Sequence, residues 1–214
     1  MNVTRLMLFK GCLMASIAHA IMTNIYPEFS YEHSWDGSNY SIQNTSGMRG
    51  TITFETDYCI GAIRDDSSDY IISEKDIDKH IADFPLEIVR KAYDETLRYL
   101  LLDKNGYATP CITSIFYADD TGIHFNKENT DNLKSDFELL EDVIVSEEFA
   151  IDLWGDYYEM DSKAIELLRS LYEIKVKDFS SKIVLSEEQI QMIPGDYIND
   201  ECVESLEELN IFLH

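Results

Sequence analysis

The residues in this 214-residue chain that could do chemistry are five histidines, four cysteines and a recurring set of paired carboxylates. Nucleophilic catalysis needs a nucleophile beside a base that a third group orients. His19, His33, His80, His124 and His214 stand in no such motif. His19 and His80 fall on predicted helices, and His33 on the polar or edge side of a predicted strand. Cys12, Cys59, Cys111 and Cys202 include no CxxC pair, which argues against a zinc ribbon or a thioredoxin-like centre; reduced, mostly buried thiols are expected. Gly47-Met48-Arg49-Gly50 lies between two predicted strands, where it cannot cradle a phosphate as a strand-to-helix loop does. Asp119-Asp120-Thr121-Gly122 begins like a calcium loop. It then places Ile123 at the fifth ligand position and His124 where the turn glycine belongs, so a tight turn is expected. No catalytic residue, cofactor or metal is expected.

Two groups of residues suit binding better than catalysis. Trp35-Asp36-Gly37-Ser38-Asn39-Tyr40, followed by Arg49, puts large rigid rings, a carboxylate and a forked donor near one predicted hairpin tip. The competing structural role is a Trp35–Tyr40 cross-strand pair, with Arg49 bonded to Glu32 or Asp36. The second group is acidic: Asp119/Asp120, Glu141/Asp142, Glu147/Glu148, Asp152/Asp156, Glu187/Glu188, Asp200/Glu201 and Glu207/Glu208. Helix-cap preference accounts for Glu147/Glu148 and Glu187/Glu188. It does not account for Asp152 and Asp156, which are four apart, share one helix face and repel by a few tenths of a kcal/mol. The candidate partner-binding residues are therefore Trp35, Asp36, Tyr40, Arg49, Asp119, Asp120, Asp152 and Asp156.

The elements that must position these residues change along the chain. Leu6, Leu13, Ile17, Ile21 and Ile25 predict an amphipathic N-terminal helix in preference to a cleaved leader ending at Ala20, whose apolar stretch Lys10 interrupts, and without a run of about 18 uninterrupted apolar residues no membrane span is expected. Residues 29–65 predict an antiparallel meander with turns at Asp36-Gly37 and Ser46-Gly47 and a close at residues 64–68. Ser73 to Asp76 predicts a capping box. Leu86, Val89, Tyr93, Leu97 and Leu100 predict one helical stripe ending at Gly106. Residues 111–117 predict a strand that turns into 123–125. The remainder predicts helices: a stripe of Leu133, Phe137, Leu140 and Ile144; one of Phe149, Leu153, Trp154 and Tyr157 capped by Ser146; one of Ile165, Leu168, Leu171 and Tyr172; a short one boxed by Ser186 and Gln189; and a last one capped by Asn199, with Val203, Leu206 and Leu209 inward. The expected fold is a single α+β domain over 1–214: N-terminal helix, antiparallel meander, then an acidic helical part over 129–214.

Composition narrows the function class. Apolar residues at 45% and aromatics at 12% can build a core and argue against disorder. The net charge of −24 is uneven: −1 over residues 1–56, −7 over 57–128 and −16 over 129–214. Such a surface disfavours direct contact with nucleic acid or an anionic membrane and favours a basic protein partner. In composition the chain is similar to small acidic bacterial inhibitors such as the immunity proteins that neutralise nuclease toxins, which present carboxylates where the toxin expects phosphates. That resemblance implies a non-enzymatic cytoplasmic inhibitor that masks a basic active site. The alternatives are a small hydrolase using carboxylates with His33 or His124, and a subunit of a larger assembly.

Overall fold

Every residue of the N-terminal helix α1 (Arg5–Met22) from Gly11 to Met22 is buried, so this is a core helix and not the one-sided amphipathic helix expected. Only Leu6 and Ile25, at the two ends of the predicted stripe, are exposed. In spite of Lys10, α1 is long and apolar enough to cross a membrane by length and composition, and 72% of that stretch is buried inside the protein. Close packing explains Gly11: a Cβ there would fall 1.6 Å from the Val143 carbonyl oxygen.

A computed structural model of the chain describes residues 3–104, 106–125 and 137–213. Leu133 and His214 lie outside the described residues. The fold is α+β, with an N-terminal helix, an antiparallel meander and a mostly helical C-terminal part, as the sequence predicts. The chain forms two compact units, residues 1–8 with 38–141 and residues 9–37 with 142–214.

The first unit is built on β2 (Asn39–Gln43), β3 (Met48–Phe54), β4 (Cys59–Asp65), β8 (Ser114–Asp119) and β9 (Gly122–His124), antiparallel in that order. The sheet does not close at residues 64–68 as expected, because β8 returns to pair with β4, with Ala62 opposite Ile115. A smaller sheet runs in the order β5 (Ile72–Ser73), β7 (Tyr107–Ile112), β6 (Leu101–Lys104). Gly106, at φ +83°, turns the β6–β7 hairpin; it does not stop a helix. The predicted strand over 111–117 divides at Thr113, whose hydroxyl and amide both bond the Ile63 carbonyl. Helix α2 (Glu74–His80) has no capping box, because the Ser73 hydroxyl donates to the Asp76 carboxylate at 2.7 Å. Helix α3 (Leu86–Asp94) ends at Asp94, and a tighter 3-10 segment, Thr96–Leu100, follows. The predicted stripe does not hold: α3 turns Ile88 and Ala92 inward and leaves Leu86 and Tyr93 exposed, and the 3-10 segment after it brings Leu97 and Leu100 to the same core as Ile60, Ile112 and Ile115.

The second unit holds the buried part of α1 together with β1 (His33–Asp36), α4 (Glu147–Tyr157), α5 (Ser162–Lys175), α6 (Glu187–Ile190) and α7 (Asp200–Glu208). A parallel pair of short strands, β10 (Ile183–Val184) and β11 (Ile211–Phe212), closes it. Three helix starts follow the sequence. Ser146 accepts from the Phe149 amide, Asn199 accepts from the Cys202 amide, and Ser186 with Gln189 makes both bonds of a capping box. The last two inward stripes hold in most of their members: Leu168, Leu171, Tyr172, Leu206 and Leu209 are buried, while Ile165 and Val203 are half-buried. Lys175 is fully buried and satisfied by the carbonyls of Phe179 and Ser181, and burial lowers its ammonium to about 8.

Candidate functional site

The sequence expectation for α4 places Phe149, Leu153, Trp154 and Tyr157 on its buried side. The structure rotates the helix. Ala150, Ile151, Trp154 and Gly155 face inward, while Phe149 is 57% and Tyr157 54% exposed. Residues three or four apart share a helix face. The exposed side of α4 therefore carries two adjacent rows, Glu148-Asp152-Asp156 and Phe149-Leu153-Tyr157, one acidic and one apolar. The sequence held a signal for this rotation. Ala150, Ile151, Trp154 and Gly155 are themselves three and four apart, an inward row as regular as the expected one, and a Cβ on Gly155 would make ordinary contact with Ile165 of α5 at 3.5 Å.

This face is held from within. Among the described residues Glu32 is the only buried carboxylate, and it accepts the hydroxyls of Tyr157 and Tyr158, each at 2.9 Å. Tyr158 is buried; Tyr157 reaches the surface. Burial first, and the Glu32 carboxylate second, push both phenols well above their ordinary range, so both stay protonated donors. The rings of Tyr157 and Tyr158 meet edge to face at 4.6 Å, and Trp154 stacks on Tyr158 at 6.0 Å. The Trp154 indole nitrogen is buried with no hydrogen-bond partner.

His33 lies in the same cluster. It is buried, not on a polar strand face as expected: β1 starts only at His33, and the two-residue alternation puts His33 on the same buried face as Trp35. Its ring meets His19 at 5.3 Å and Trp154 at 5.3 Å. Burial brings His19 down to about 4, only partly opposed by its bond to the Phe29 carbonyl; burial and then His19 hold His33 well below its usual value. Both are neutral near pH 7, and His19 donates through Nε2 to Phe29 at 3.0 Å.

Other candidates have structural partners. Trp35 is a correction: it is 4% exposed, its indole nitrogen donates to the Ser16 hydroxyl at 2.7 Å, and its ring packs on Phe9 and Phe179. Its backbone amide donates to Glu208 at 2.8 Å. Burial raises the Glu208 carboxyl, and this bond opposes the rise. Tyr40 is fully buried and sits opposite Ile52 in the β2–β3 ladder, so it too is a core residue. Asp36 is exposed at the turn completed by Gly37. Arg49 bonds Asp66 at 3.1 Å, not Glu32 or Asp36, because β3–β4 register brings its strand end beside the Asp66 loop.

Asp119 organises the β8–β9 turn by accepting from the Thr121 amide and hydroxyl, the Gly122 amide and His124. Partial burial works to raise its carboxyl, but the bonds from Thr121 and His124 outweigh it and hold it at about 2. Asp120 is exposed beside it. The Thr121–His124–Asp119 grouping is no proton relay. Both Thr121 and Asp119 face the same ring nitrogen, His124 Nε2, at 3.1 Å, whereas a relay uses the two nitrogens in opposite directions. Among the described residues no group of three or more His, Cys, Asp or Glu could hold a metal ion.

Charge separates the units. The second carries 21 acidic residues against 6 basic ones, and every one of those acids except Glu32 is exposed. The ion pairs Arg49–Asp66, Arg64–Asp66 and Lys91–Glu55 all lie in the first unit. Among the described residues Glu148, Asp152 and Asp156 form no ion pair. Of the sequence candidates, then, the structure joins Asp152 and Asp156 on one exposed face and adds Glu148, Phe149, Leu153 and Tyr157. No protein-family model, curated protein or solved structure matches this chain.

Proposed function

We propose that this protein is a non-enzymatic acidic binding protein that docks a basic protein partner through the exposed face of α4. The observation that carries the reading is the pairing of an uncompensated carboxylate row, Glu148-Asp152-Asp156, with the exposed rings of Phe149 and Tyr157. The carboxylates speed and orient encounter, while the rings supply area for affinity. Tyr157 is preorganised by Glu32, which lowers the ordering cost of binding. The reading extends to an immunity-type inhibitor in the cytoplasm that covers the phosphate-binding surface of a basic toxin.

The test is affinity capture from the protein's own cell at low and high salt, then titration of the purified partner. The expected result is a basic partner whose association slows several-fold between low and physiological salt and whose binding falls with Phe149→Ala and with Asp152→Asn/Asp156→Asn. A partner that binds equally fast at all salt concentrations, or that ignores both variants, overturns the reading.

A further inference from the structure

The second unit carries a groove of about 450 Å³ along α5 and the segment 188–192, within the size range of sites that hold a small ligand. Lys163, Glu166 and Ser170 lie three and four residues apart, so they share one wall, and the fully buried Leu167 lies under it. The other wall holds Glu188 and Met192, also four apart. The Ser186–Gln189 capping box and the bonds from the Gln191 amide to Glu187 and the Met192 amide to Gln189 fix its backbone. Neither Glu166 nor Glu188 has an ion pair or a hydrogen bond among the described residues. Lys163 stands one turn before Glu166, a spacing that permits an ion pair, and none forms.

We propose that this groove is the receptor for one arginine side chain presented by the basic partner. The inference deepens the proposed function by naming the residue type that the partner inserts. The occupant must be a cation, because two unpaired carboxylates line a groove in a unit of strong negative charge. A stem of methylenes can lie along the adaptable Met192 thioether, with Ser170, Gln189 and Gln191 lining the groove beside it. A guanidinium suits carboxylates on two walls better than an ammonium does, since its planar fork presents five donors in fixed directions. The flexible Lys163 ammonium is the competitor at the rim.

The probe is arginamide, titrated into the full-length chain labelled with ¹⁵N and followed by amide chemical shifts. Saturable shifts at Leu167, Ser170, Glu188 and Met192 are expected. Citrullinamide, the neutral isostere, should bind about tenfold more weakly, as should lysinamide to a smaller degree. Glu166→Gln and Glu188→Gln should each weaken arginamide by about three- to tenfold, and Lys163→Gln should strengthen it by about threefold. These surface substitutions leave the rest of the spectrum unchanged, which checks folding in the same sample. Absence of saturable shifts at these amides, equal binding of citrullinamide, or indifference to Glu166→Gln overturns the groove assignment. If a basic partner still binds through Phe149 and Asp152, the proposed function survives that failure. If arginamide seats in the groove and no basic partner exists, the groove stands and the proposed function falls.

Discussion

The Tyr157 hydroxyl donates to the Glu32 carboxylate at 2.9 Å, so the only buried acid among the described residues fixes a ring that is more than half exposed. Glu32 is 125 positions away in sequence and also anchors Tyr158. One carboxylate thus ties a surface ring to the core.

Replacing Glu32 with Ala leaves the buried Tyr158 hydroxyl without its acceptor. Stability should fall by about 2–3 kcal/mol, the usual cost of stranding a partner of a charge-assisted bond. Tyr157→Phe removes one part-buried bond and leaves Glu32 its Tyr158 donor, so it should cost less, about 1 kcal/mol. Urea denaturation of the two variants checks the order; equal losses would mean that Glu32 does not act through Tyr158.

Phe149→Ala should leave stability within about 0.5 kcal/mol, since the ring is exposed, while partner binding weakens by about 2 kcal/mol. Denaturation and titration on one preparation separate the effects. A loss of stability as large as the loss of binding would return Phe149 to the core role that its sequence spacing suggested.

Trp35→Ala should behave in the opposite way, costing about 3–5 kcal/mol of stability as buried aromatic truncations do. Trp35→Phe keeps most of the packing but loses the bond to Ser16, so an intermediate loss is expected.

The neutral, buried His19 makes stability depend on pH. Its imidazole titrates near 6.5 when unfolded and at about 4 when folded. In that window the unfolded chain takes up the proton first. The contribution is therefore fully present above pH 6.5 and is lost as pH falls toward 4, by up to about 3 kcal/mol. His33 acts in the same direction. Protonating the crowded surface carboxylates relieves repulsion and works the other way. The readout is the difference between wild type and His19→Gln in urea unfolding at pH 7 and pH 4.5, which should shrink as pH falls.

All four cysteines are buried and outside any disulfide, and burial pushes Cys59 and Cys202 up to about 12. The native protein should react negligibly with a water-soluble disulfide reagent at pH 8 and should release four equivalents once unfolded. Rapid native labelling of Cys59 or Cys202 would contradict their burial.

Local chemistry was legible in the chain because it is decided by neighbours a few residues apart. Ser146, Ser186 and Asn199 cap helices where their side chains can reach the next free amides, and Gly37 and Gly47 turn the chain where positive φ is required. Ser73 departs from this pattern, since its hydroxyl donates to the Asp76 side chain and caps no amide. Asp152 and Asp156 were legible as a face because their spacing is a property of any helix.

The caps at Ser146, Ser186 and Asn199, the turns at Gly37 and Gly47 and the acidic surplus of the C-terminal part follow from the order of residues alone; the β6–β7 hairpin at Gly106 and the return of β8 to β4 do not. Which side of each helix faces inward was decided only by tertiary structure. A stripe of apolar residues states that some face is buried, but α4 offers two such rows, and packing buried the one with Ala150, Ile151, Trp154 and Gly155 and left Phe149 and Tyr157 exposed. The same holds for Glu32. Nothing in its local sequence distinguishes it from the exposed acids around it. Its burial depends on two tyrosines, more than a hundred residues away, whose hydroxyls replace the water that the carboxylate gives up on folding.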